Sequence, residues 1–202
     1  MTVIVRQPTL VAFDFDGTLT RGESFFRFLC FVTPWYRFIF CFLRSLPVLL
    51  MYLTRLMDNE SAKVRVLRIF LRGRPLAGLE DAAARFARTR IAGTLRPEAV
   101  ARLRGHQKQG HVCVLVSATL AVYLRPWAQD MGFDAVLATE LAVDAGGRVT
   151  GELATPNCYG PEKAARLRRQ YGVERIKAAY GDSAGDREML AMAEQAHYRP
   201  WH

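Results

Sequence analysis

Short apolar runs alternate along the chain with longer amphipathic stretches, and this pattern predicts strands and helices in turn. Four runs, at Thr9–Asp14, Val112–Ser117, Ala135–Thr139 and Ile176–Tyr180, have the length and composition of strands buried on both faces. A last short strand is predicted near His197. Because helical segments separate these strands, the pattern predicts an α/β fold with a Rossmann-like parallel sheet as its core.

The helical segments are unevenly distributed between the predicted strands. Helices are expected near residues 23–33, 35–45, 47–57, 60–72, 78–91, 97–109, 119–131, 161–171 and 184–193. Residues 141–143 and 148–153 flank a glycine turn and predict a β-hairpin. The block between the first two strands is too long for one crossover connection. We therefore expect an inserted all-helical cap at residues 23–94, and an α/β core formed by residues 1–22 and 95–202.

The first part of the expected cap is unusually apolar. Residues 25–57 contain 24 apolar positions in 33, together with 10 of the 22 aromatic residues of the chain. Its longest uncharged stretch, residues 45–54, is ten residues long, whereas a membrane-spanning helix needs about 20. Pro34 and Pro47 are expected to divide the segment into separate helices. A transmembrane helix is therefore not predicted.

The net charge is concentrated in the same region. The chain carries 28 Lys and Arg against 19 Asp and Glu, a formal charge of +9. Residues 25–91 alone hold 12 basic and 4 acidic residues, which is +8. A basic surface favours anionic partners. The basic residues lie among apolar runs and match no RNA-binding, helix-turn-helix or zinc-finger pattern, so nucleic acid is not the expected partner.

The cysteines indicate a cellular compartment. Cys30, Cys41, Cys113 and Cys158 form no CxxC pair, which disfavours a zinc site or a disulfide framework. The first residues lack the basic start and long apolar stretch of a secretory signal. We expect four reduced, buried thiols in a cytoplasmic protein.

The strongest chemical motif is Asp14-Phe15-Asp16-Gly17-Thr18-Leu19, directly after the first predicted strand. Ligands of open α/β sheets bind beyond the carboxyl ends of the strands. Two carboxylates there can divide the work, because one can attack a substrate or bind a metal while the other moves protons. The alternative interpretation is a helix N-cap, which needs only one aspartate.

Three further signals stand at ends of later elements. Ser117 ends the second predicted strand, Lys163 opens a helix after Gly160, and Asp182 and Asp186 follow the strand at 176–180. A hydroxyl, helix-start amides and an ammonium can hold phosphate oxygens, and the paired carboxylates suit Mg²⁺. The alternatives are a helix cap for Ser117, a solvated surface lysine for Lys163, and an Asp turn with a helix cap for the paired carboxylates.

The ordered set DFDGTL, Ser117, Lys163 and GDSAGD resembles the haloacid dehalogenase superfamily of phosphohydrolases. The resemblance extends over essentially the whole chain. A helical insert between the first two motifs is similar to that of the phosphoserine-phosphatase-like branch. The resemblance therefore implies a phosphomonoester hydrolase with a helical cap over an α/β core.

The resemblance also implies a role for each motif residue. Asp14 would be the nucleophile that forms an aspartyl-phosphate. Asp16 would protonate the leaving oxygen and then deprotonate the attacking water. Ser117 and Lys163 would hold the transferred phosphoryl group, together with the backbone at Ala118.

A magnesium ion is implied by the same resemblance. It would bind the Asp14 carboxylate, the Asp16 carbonyl oxygen and Asp182, with Asp186 in support. Phosphoryl transfer consists mainly of positioning and charge stabilisation. A phosphate dianion can approach an aspartate only where Mg²⁺ and a lysine offset the repulsion.

The substrate is less clearly indicated. Glu23 stands where phosphoserine phosphatases carry the glutamate that recognises the substrate amine, which favours phosphoserine. A glutamate near a helix start is also an ordinary residue that complements the helix dipole. The apolar cap is similar in composition to that of bacterial phosphatidylglycerophosphate phosphatases, which favours a membrane lipid phosphate.

Residues 35–44 add a second argument for lipid. Arg37 and Arg44 are seven residues apart and share one face of a helix that is otherwise rich in aromatic residues. Such a helix is typical of an interfacial element at an anionic membrane, here the cytoplasmic face. The alternative for this helix is packing inside the cap or at a homodimer contact. The alternatives for the function of the protein are a soluble phosphoserine phosphatase and a non-catalytic basic protein that binds membranes or nucleic acid.

Overall fold

The computed structural model of the chain describes residues 9–201. Its core is a five-stranded, wholly parallel sheet with the strand order β3-β2-β1-β6-β7. The parallel α/β fold predicted from the sequence is confirmed. The strands are β1 (Leu10–Phe13), β2 (Val112–Leu120), β3 (Ala135–Thr139), β6 (Ile176–Gly181) and β7 (Ala193–Tyr198), and β4 (Leu141–Val143) and β5 (Val149–Leu153) form a separate antiparallel hairpin.

Helices cover the sheet and extend away from it. Between β1 and β2, helices α1 to α4 fall within the range expected for the cap, and α5 follows them; the remaining helices come after β2. The division of the chain at residues 23 and 94 stays a prediction. The helices are α1 (Phe25–Val32), α2 (Trp35–Leu53), α3 (Asn59–Leu71), α4 (Leu76–Phe86), α5 (Pro97–Lys108), α6 (Ala121–Asp130), α7 (Pro161–Tyr171) and α8 (Arg187–Ala191).

The position of β1 determines where a ligand can bind. Val11 and Phe13 join an apolar cluster that continues into the helices between β1 and β2, while Leu10 and Ala12 join a second cluster on the other face. Both faces are therefore buried, as the continuous apolar run indicates. The chain order reverses beside β1, since β2 lies on one side and β6 on the other. In open α/β sheets, the crevice at such a reversal is the usual ligand site.

The cap helices α1 to α4 leave and rejoin the core at one place. The Arg21 amide donates to the Thr94 carbonyl oxygen at 2.8 Å, and the Arg96 amide donates to the Leu19 carbonyl oxygen at 2.9 Å. The outgoing and returning segments are thus paired like two short strands. The outgoing segment directly follows the Asp14–Leu19 motif and the returning segment is hydrogen-bonded to it, so a movement of the helices would be transmitted to the motif.

Element boundaries differ from the sequence prediction at several places, among them Pro47 and Ser117. Pro47 does not divide the apolar segment, because α2 continues through it. The proline removes one backbone donor, but Cys41, Ser45 and Val48 keep this part of α2 packed inward, and the Ser45 hydroxyl donates to the Cys41 carbonyl oxygen. Strand β2 also extends past Ser117, so that α6 starts at Ala121.

Helix α2 changes the assessment of membrane spans. At 19 residues and a mean hydropathy of 1.5, it is long and apolar enough to cross a membrane, and only 17% of an 18-residue stretch of the helix is buried. Core helices and signal sequences also meet this criterion, although core helices are mostly buried. The expected break at Pro34 is confirmed, because α2 begins after it, whereas the expected break at Pro47 is wrong. In this structure one face of α2 packs along α3, as in the ring contact between Phe38 and Phe70 at 5.5 Å.

The cysteine prediction is corrected at one position. Cys41, Cys113 and Cys158 are buried and unpaired, as expected. Cys30 is also unpaired but exposed, because it lies on the outward side of α1, whose buried residues are Phe28 and Leu29.

The β4–β5 hairpin packs closely against α3. Gly151 in β5 has a φ of +88°, and a Cβ atom there would lie 2.7 Å from the Arg68 Cα atom. A glycine is therefore required both by the backbone conformation and by the close approach of a helix backbone.

Replacement of Gly151 by alanine tests this contact. We expect Gly151→Ala to lower the free energy of unfolding by about 1–3 kcal/mol more than Gly147→Ala, because overpacking adds to the cost of positive φ. Gly147 is the matched control, since it has a φ of +71° and a Cβ atom added there would meet no other atom within 4 Å. Urea unfolding of both variants measures the difference, and equal losses would contradict the contact.

Candidate active site

The Asp14–Leu19 motif starts where β1 ends, at the carboxyl edge of the sheet. The Asp14 amide donates to the Tyr180 carbonyl oxygen of β6 at 2.9 Å, which fixes the start of the loop. The Thr18 hydroxyl lies 3.3 Å from Asp14 Oδ2. Gly17 has a φ of +77°, and a Cβ atom there would overlap the Asp182 carboxylate. The glycine thus lets the first loop approach the loop after β6.

Lys163 lies in the first turn of α7 and reaches across to both aspartate loops. Its Nζ atom donates to Asp14 Oδ1 and to Asp186 Oδ1, each at 2.5 Å. The three side chains are almost entirely buried. Gly160, the residue before the helix, has a φ of +58°, a conformation that favours glycine. The alternative of a solvated surface lysine therefore does not describe this side chain.

The loop after β6 carries Asp182 and Asp186, and hydrogen bonds within the loop fix the carboxylate of Asp186. Asp186 Oδ2 accepts hydrogen bonds from the Asp182 amide at 3.1 Å and from the Ser183 amide and hydroxyl, both at 3.0 Å. Carboxylate oxygens of Asp14, Asp182 and Asp186 all lie within 4.8 Å of one another. These residues, from the two ends of the chain, form one oxygen-rich cluster.

The charges of this cluster are incompletely balanced. Burial raises the pKa of Asp14 to about 8, although the neighbouring Lys163 opposes that shift. Burial lowers the pKa of Lys163, but Asp14 and Asp186 outweigh it and hold the lysine in its charged form. When all three carboxylates are ionised, they and the one ammonium leave a formal charge of −2. A divalent cation would neutralise that charge, and carboxylate oxygens are the ligands that Mg²⁺ prefers.

Asp16 is held apart from this cluster. Its carboxylate accepts hydrogen bonds from the Ser24 amide at 2.9 Å, the Ser24 hydroxyl at 3.0 Å and the Thr119 hydroxyl at 2.6 Å. Burial raises the pKa of Asp16, and the hydrogen bonds oppose the shift. The side chain is therefore not among the three carboxylates of the candidate metal cluster, and it is positioned as a separate acid beside it.

A cavity of about 410 Å³ connects these groups. Asp14, Asp16, Ser117, Ala118, Lys163 and Asp182 line it together. Asp186 lies behind Lys163, and the exposed Glu23 lies at the cavity wall. Much of the remaining wall is apolar and comes from the cap helices, namely Phe25, Phe26, Leu49, Ala62 and Val66.

Ser117 is buried beside the cavity, and its hydroxyl accepts a hydrogen bond from the Thr119 amide at 3.1 Å. This hydrogen bond is similar to one made by a helix cap, but Ser117 is not the cap of α6, because it lies within β2 and α6 begins four residues later. The hydroxyl is thereby oriented by the backbone that follows it.

Three residues of the site have no signal in the sequence. Ser24 and Thr119 are ordinary polar residues beside recognised motifs, and only the fold brings both to Asp16. Lys63 belongs to α3, yet its Nζ atom donates to the Ala118 carbonyl oxygen at 2.6 Å and to Asn157 Oδ1 at 2.7 Å. Burial lowers the pKa of Lys63 to about 8. In sequence it is one basic residue among many in an amphipathic helix.

Comparisons with known proteins agree with this geometry. Residues 11–191 match the family described as haloacid dehalogenase-like hydrolase. Protein CicA of Caulobacter vibrioides is 41% identical over 197 residues, which is 96% of this chain and 86% of that protein. A solved protein of unknown function from Bordetella pertussis Tohama I has a TM-score of 0.76 and 25% identity, covering 90% of this chain and 85% of that one.

The fold is also that of a phosphoserine phosphatase, solved as a phospho-aspartyl intermediate analogue. That structure has a TM-score of 0.62 and 20% identity, and the match covers 93% of this chain and 84% of the other. The fold, the acidic loops at its strand ends and the family match lead to one assignment. The chain belongs to the haloacid dehalogenase-like hydrolases, and its fold is the one found in the phosphoserine phosphatases.

Proposed function

We propose that this hydrolase is a Mg²⁺-dependent phosphatase that cleaves phosphomonoesters through an aspartyl-phosphate on Asp14. The observation that carries the proposal is the buried Asp14 carboxylate, which lines the cavity and contacts the Lys163 ammonium. A buried nucleophile beside a fixed cation is the arrangement that phosphoryl transfer needs. The intact set of acidic residues disfavours a non-catalytic binding protein.

The first proposed step forms the enzyme intermediate. Asp14 attacks phosphorus, the bond from phosphorus to the ester oxygen breaks, and that oxygen leaves with a proton from Asp16. The raised pKa of Asp16 is consistent with an acid that still holds its proton. Ser117, the backbone at Ala118 and Lys163 would hold the phosphoryl oxygens.

The second step removes the phosphoryl group. Asp16, now ionised, takes a proton from water, and the water oxygen attacks phosphorus. The bond between phosphorus and Asp14 then breaks, which releases inorganic phosphate and regenerates the carboxylate. The proton that Asp16 gives up in the first step is regained in the second.

Members of this family that act as phosphatases generally use Mg²⁺, and the donor set of this chain fits the ion. Asp14 and Asp182 would bind it, with Asp186 in support and the Asp16 carbonyl oxygen as a further ligand. Mg²⁺ when bound supplies positive charge that offsets the repulsion between the aspartates and the phosphate.

The apolar cavity wall supports a substrate with a hydrocarbon part, such as phosphatidylglycerophosphate or another lipid phosphate. Phe25, Phe26, Leu49 and Val66 face the same space as Asp14. An entirely polar substrate would leave these side chains without a matching surface. Leu49 belongs to α2, so the cavity wall continues into the helix with the largest exposed apolar surface.

The exposed side of α2 supports peripheral binding to an anionic membrane at the cytoplasmic face. Eight of its apolar residues point away from the protein and are 43–75% exposed: Trp35, Tyr36, Ile39, Phe40, Leu43, Leu46, Leu50 and Leu53. At 100° per residue, Arg37 and Arg44 fall at the edge between this apolar face and the buried stripe. Arginines at that edge can reach lipid headgroups while the apolar face enters the acyl boundary.

A soluble phosphoserine phosphatase is the second candidate. Glu23 lines the cavity and is available to bind a substrate amine. A homodimer through the apolar face of α2 would serve this candidate, because it would cover the same residues without a membrane.

Substitution of the two motif aspartates tests the chemistry. Asp14→Asn is expected to abolish hydrolysis of p-nitrophenyl phosphate, because a neutral amide cannot form the acyl-phosphate. Asp16→Asn is expected to lower kcat by about 10²–10⁴-fold through loss of acid–base catalysis. Chelation should abolish turnover and Mg²⁺ should restore it. Turnover by Asp14→Asn, or turnover without metal, would contradict the proposal.

The contact between Gly17 and Asp182 gives a test of the metal site. Gly17→Ala should displace the Asp182 carboxylate and weaken Mg²⁺ binding by about 10–100-fold, the range found when groups that orient metal ligands are changed. Gly110→Ala is the matched control, since Gly110 has a φ of +70° and open space around it. Calorimetric titration with Mg²⁺ measures both, and equal affinities would contradict the assignment of Asp182.

Liposome binding tests the membrane proposal. The protein should sediment with vesicles that contain phosphatidylglycerol, and less at high salt. Arg37→Glu with Arg44→Glu should weaken this binding at least about 10-fold, at about 1 kcal/mol per basic residue, without loss of p-nitrophenyl phosphate hydrolysis. Arg102→Glu with Arg175→Glu changes the same charge on the α/β core and should bind almost normally.

The opposite results would support the second candidate. These are no vesicle binding, a stable dimer in solution, and efficient phosphoserine hydrolysis that is lost in Glu23→Ala. Turnover of a lipid phosphate in mixed vesicles compared with turnover of phosphoserine completes the test.

A further inference from the structure

Asn157 lies at the junction of the cap and the core. It follows the β4–β5 hairpin and precedes α7 by four residues, and it is only 4% exposed. Three residues in the first turns of α3 bind it. Its side-chain amide donates to Asn59 Oδ1 at 2.6 Å, its backbone amide donates to Glu60 Oε2 at 2.7 Å, and Lys63 Nζ donates to its Oδ1 atom at 2.7 Å.

The same group of bonds reaches the phosphoryl-binding side of the cavity. Lys63 Nζ also donates to the carbonyl oxygen of Ala118, the residue after Ser117. The Thr139 hydroxyl lies 2.8 Å from this carbonyl oxygen and 2.8 Å from Asn157 Oδ1. We call Asn59, Glu60, Lys63, Asn157 and the Ala118 carbonyl oxygen the Asn157 latch.

The latch differs in kind from the contact on the other side of the cap. There α1 and α4 pack on α6 through aromatic rings, with Tyr123 lying 4.6 Å from Phe28 and 5.2 Å from Phe86. Aromatic packing of this type is lost only if apolar surface is exposed to water. Hydrogen bonds can be exchanged for bonds to water at a much smaller net cost. The hydrogen bonds of the latch are therefore the part of this junction that a bound group can strengthen or weaken most readily, while the aromatic contact and the packing of α3 on the β4–β5 hairpin at Gly151 hold the cap in place.

The ammonium of Lys63 makes the latch easier to open. Its acceptors in the latch, the Ala118 carbonyl oxygen and Asn157 Oδ1, are neutral, and burial lowers the pKa of Lys63 to about 8. The desolvation of the charge is thus only partly offset, and exposure to water restores its hydration. The latch is also linked to α2, because Asn59 Nδ2 donates to the Tyr52 hydroxyl at 3.1 Å.

We infer that the Asn157 latch fixes the phosphoryl-binding backbone against α3, and that Lys63 and Asn157 are positioning residues for the phosphoryl-binding groups. Lys63 holds the backbone that follows Ser117, and Asn157 ties α3 to the segment that leads into Lys163. A phosphoryl group held by Ser117 and Lys163 then favours the closed latch, and the closed latch favours the bound phosphoryl group in return. This role rests on the proposed phosphatase function.

A double-mutant cycle tests the inference. Lys63→Met and Asn157→Ala should each lower kcat for p-nitrophenyl phosphate by roughly 10-fold, and the double variant should lose little more, because both changes open one latch. Lys63→Arg keeps the charge and the donors and should recover much of the loss. Lys108→Met removes an exposed lysine of α5 and is the matched control. Thermal unfolding of every variant separates these effects from loss of the fold.

Amide hydrogen exchange gives a readout that does not depend on turnover. Inorganic phosphate with Mg²⁺ should slow exchange at residues 59–63 in the wild-type protein and in Lys108→Met, but not in Lys63→Met or Asn157→Ala. The inferred role of the latch would be contradicted if the losses in kcat multiplied in the double variant. It would also be contradicted if phosphate protected residues 59–63 equally in all variants. Absence of wild-type turnover would contradict the proposed phosphatase function. The exchange experiment alone would then test whether the latch responds to bound phosphate.

Discussion

The aspartates at the carboxyl edge of the sheet repel one another in a space that holds little water, and the Lys163 ammonium is a cation within the chain that offsets this repulsion. Asp14 and Asp186 share it at 2.5 Å each. A buried carboxylate without a partner would take up a proton rather than keep its charge. The loops after β1 and β6 and the start of α7 are therefore constrained to meet at one point. The glycines at positions 17 and 160 allow these close turns, and the remaining negative charge is suited to a divalent cation.

The cap helices meet two different requirements with one amphipathic design. Their inner side supplies the apolar cavity wall and the bonds to Asn157, while the outer side of α2 stays uncovered. An apolar patch of this kind normally marks an interaction site, here the proposed membrane contact or, for the second candidate, a homodimer contact. Helix α2 contributes both to the cavity wall and to the exposed apolar face. The proposed membrane contact and the proposed catalytic site therefore lie on two sides of the same helix. Tyr52, which lines the cavity and binds Asn59, links that helix to the latch.

Local pattern was sufficient to predict the sheet and the motif positions, because each apolar run ends where a polar loop begins. Asp14 and Asp182 could be placed at strand ends on that basis, and the hairpin at 141–153 followed from its glycine turn. Ser117 is expected at a strand end but lies within β2, which continues to Leu120. The course of α2 through Pro47 could not be predicted, since packing on α3 outweighs the local effect of a proline. The partners of Asp16 and the position of Lys63 depend on contacts between residues 8 to 103 positions apart in sequence. No local pattern contains that information.

Covalent phosphorylation of Asp14 is the central claim, and chemical trapping tests it most directly. Borohydride reduces an acyl-phosphate to an alcohol, so an aspartyl-phosphate at residue 14 would be converted to homoserine during turnover. We predict that peptide mass spectrometry finds this change at Asp14 when both Mg²⁺ and a phosphomonoester are present, and not when either is omitted. Turnover with Asp14 left unmodified, or modification at another aspartate, would contradict the claim.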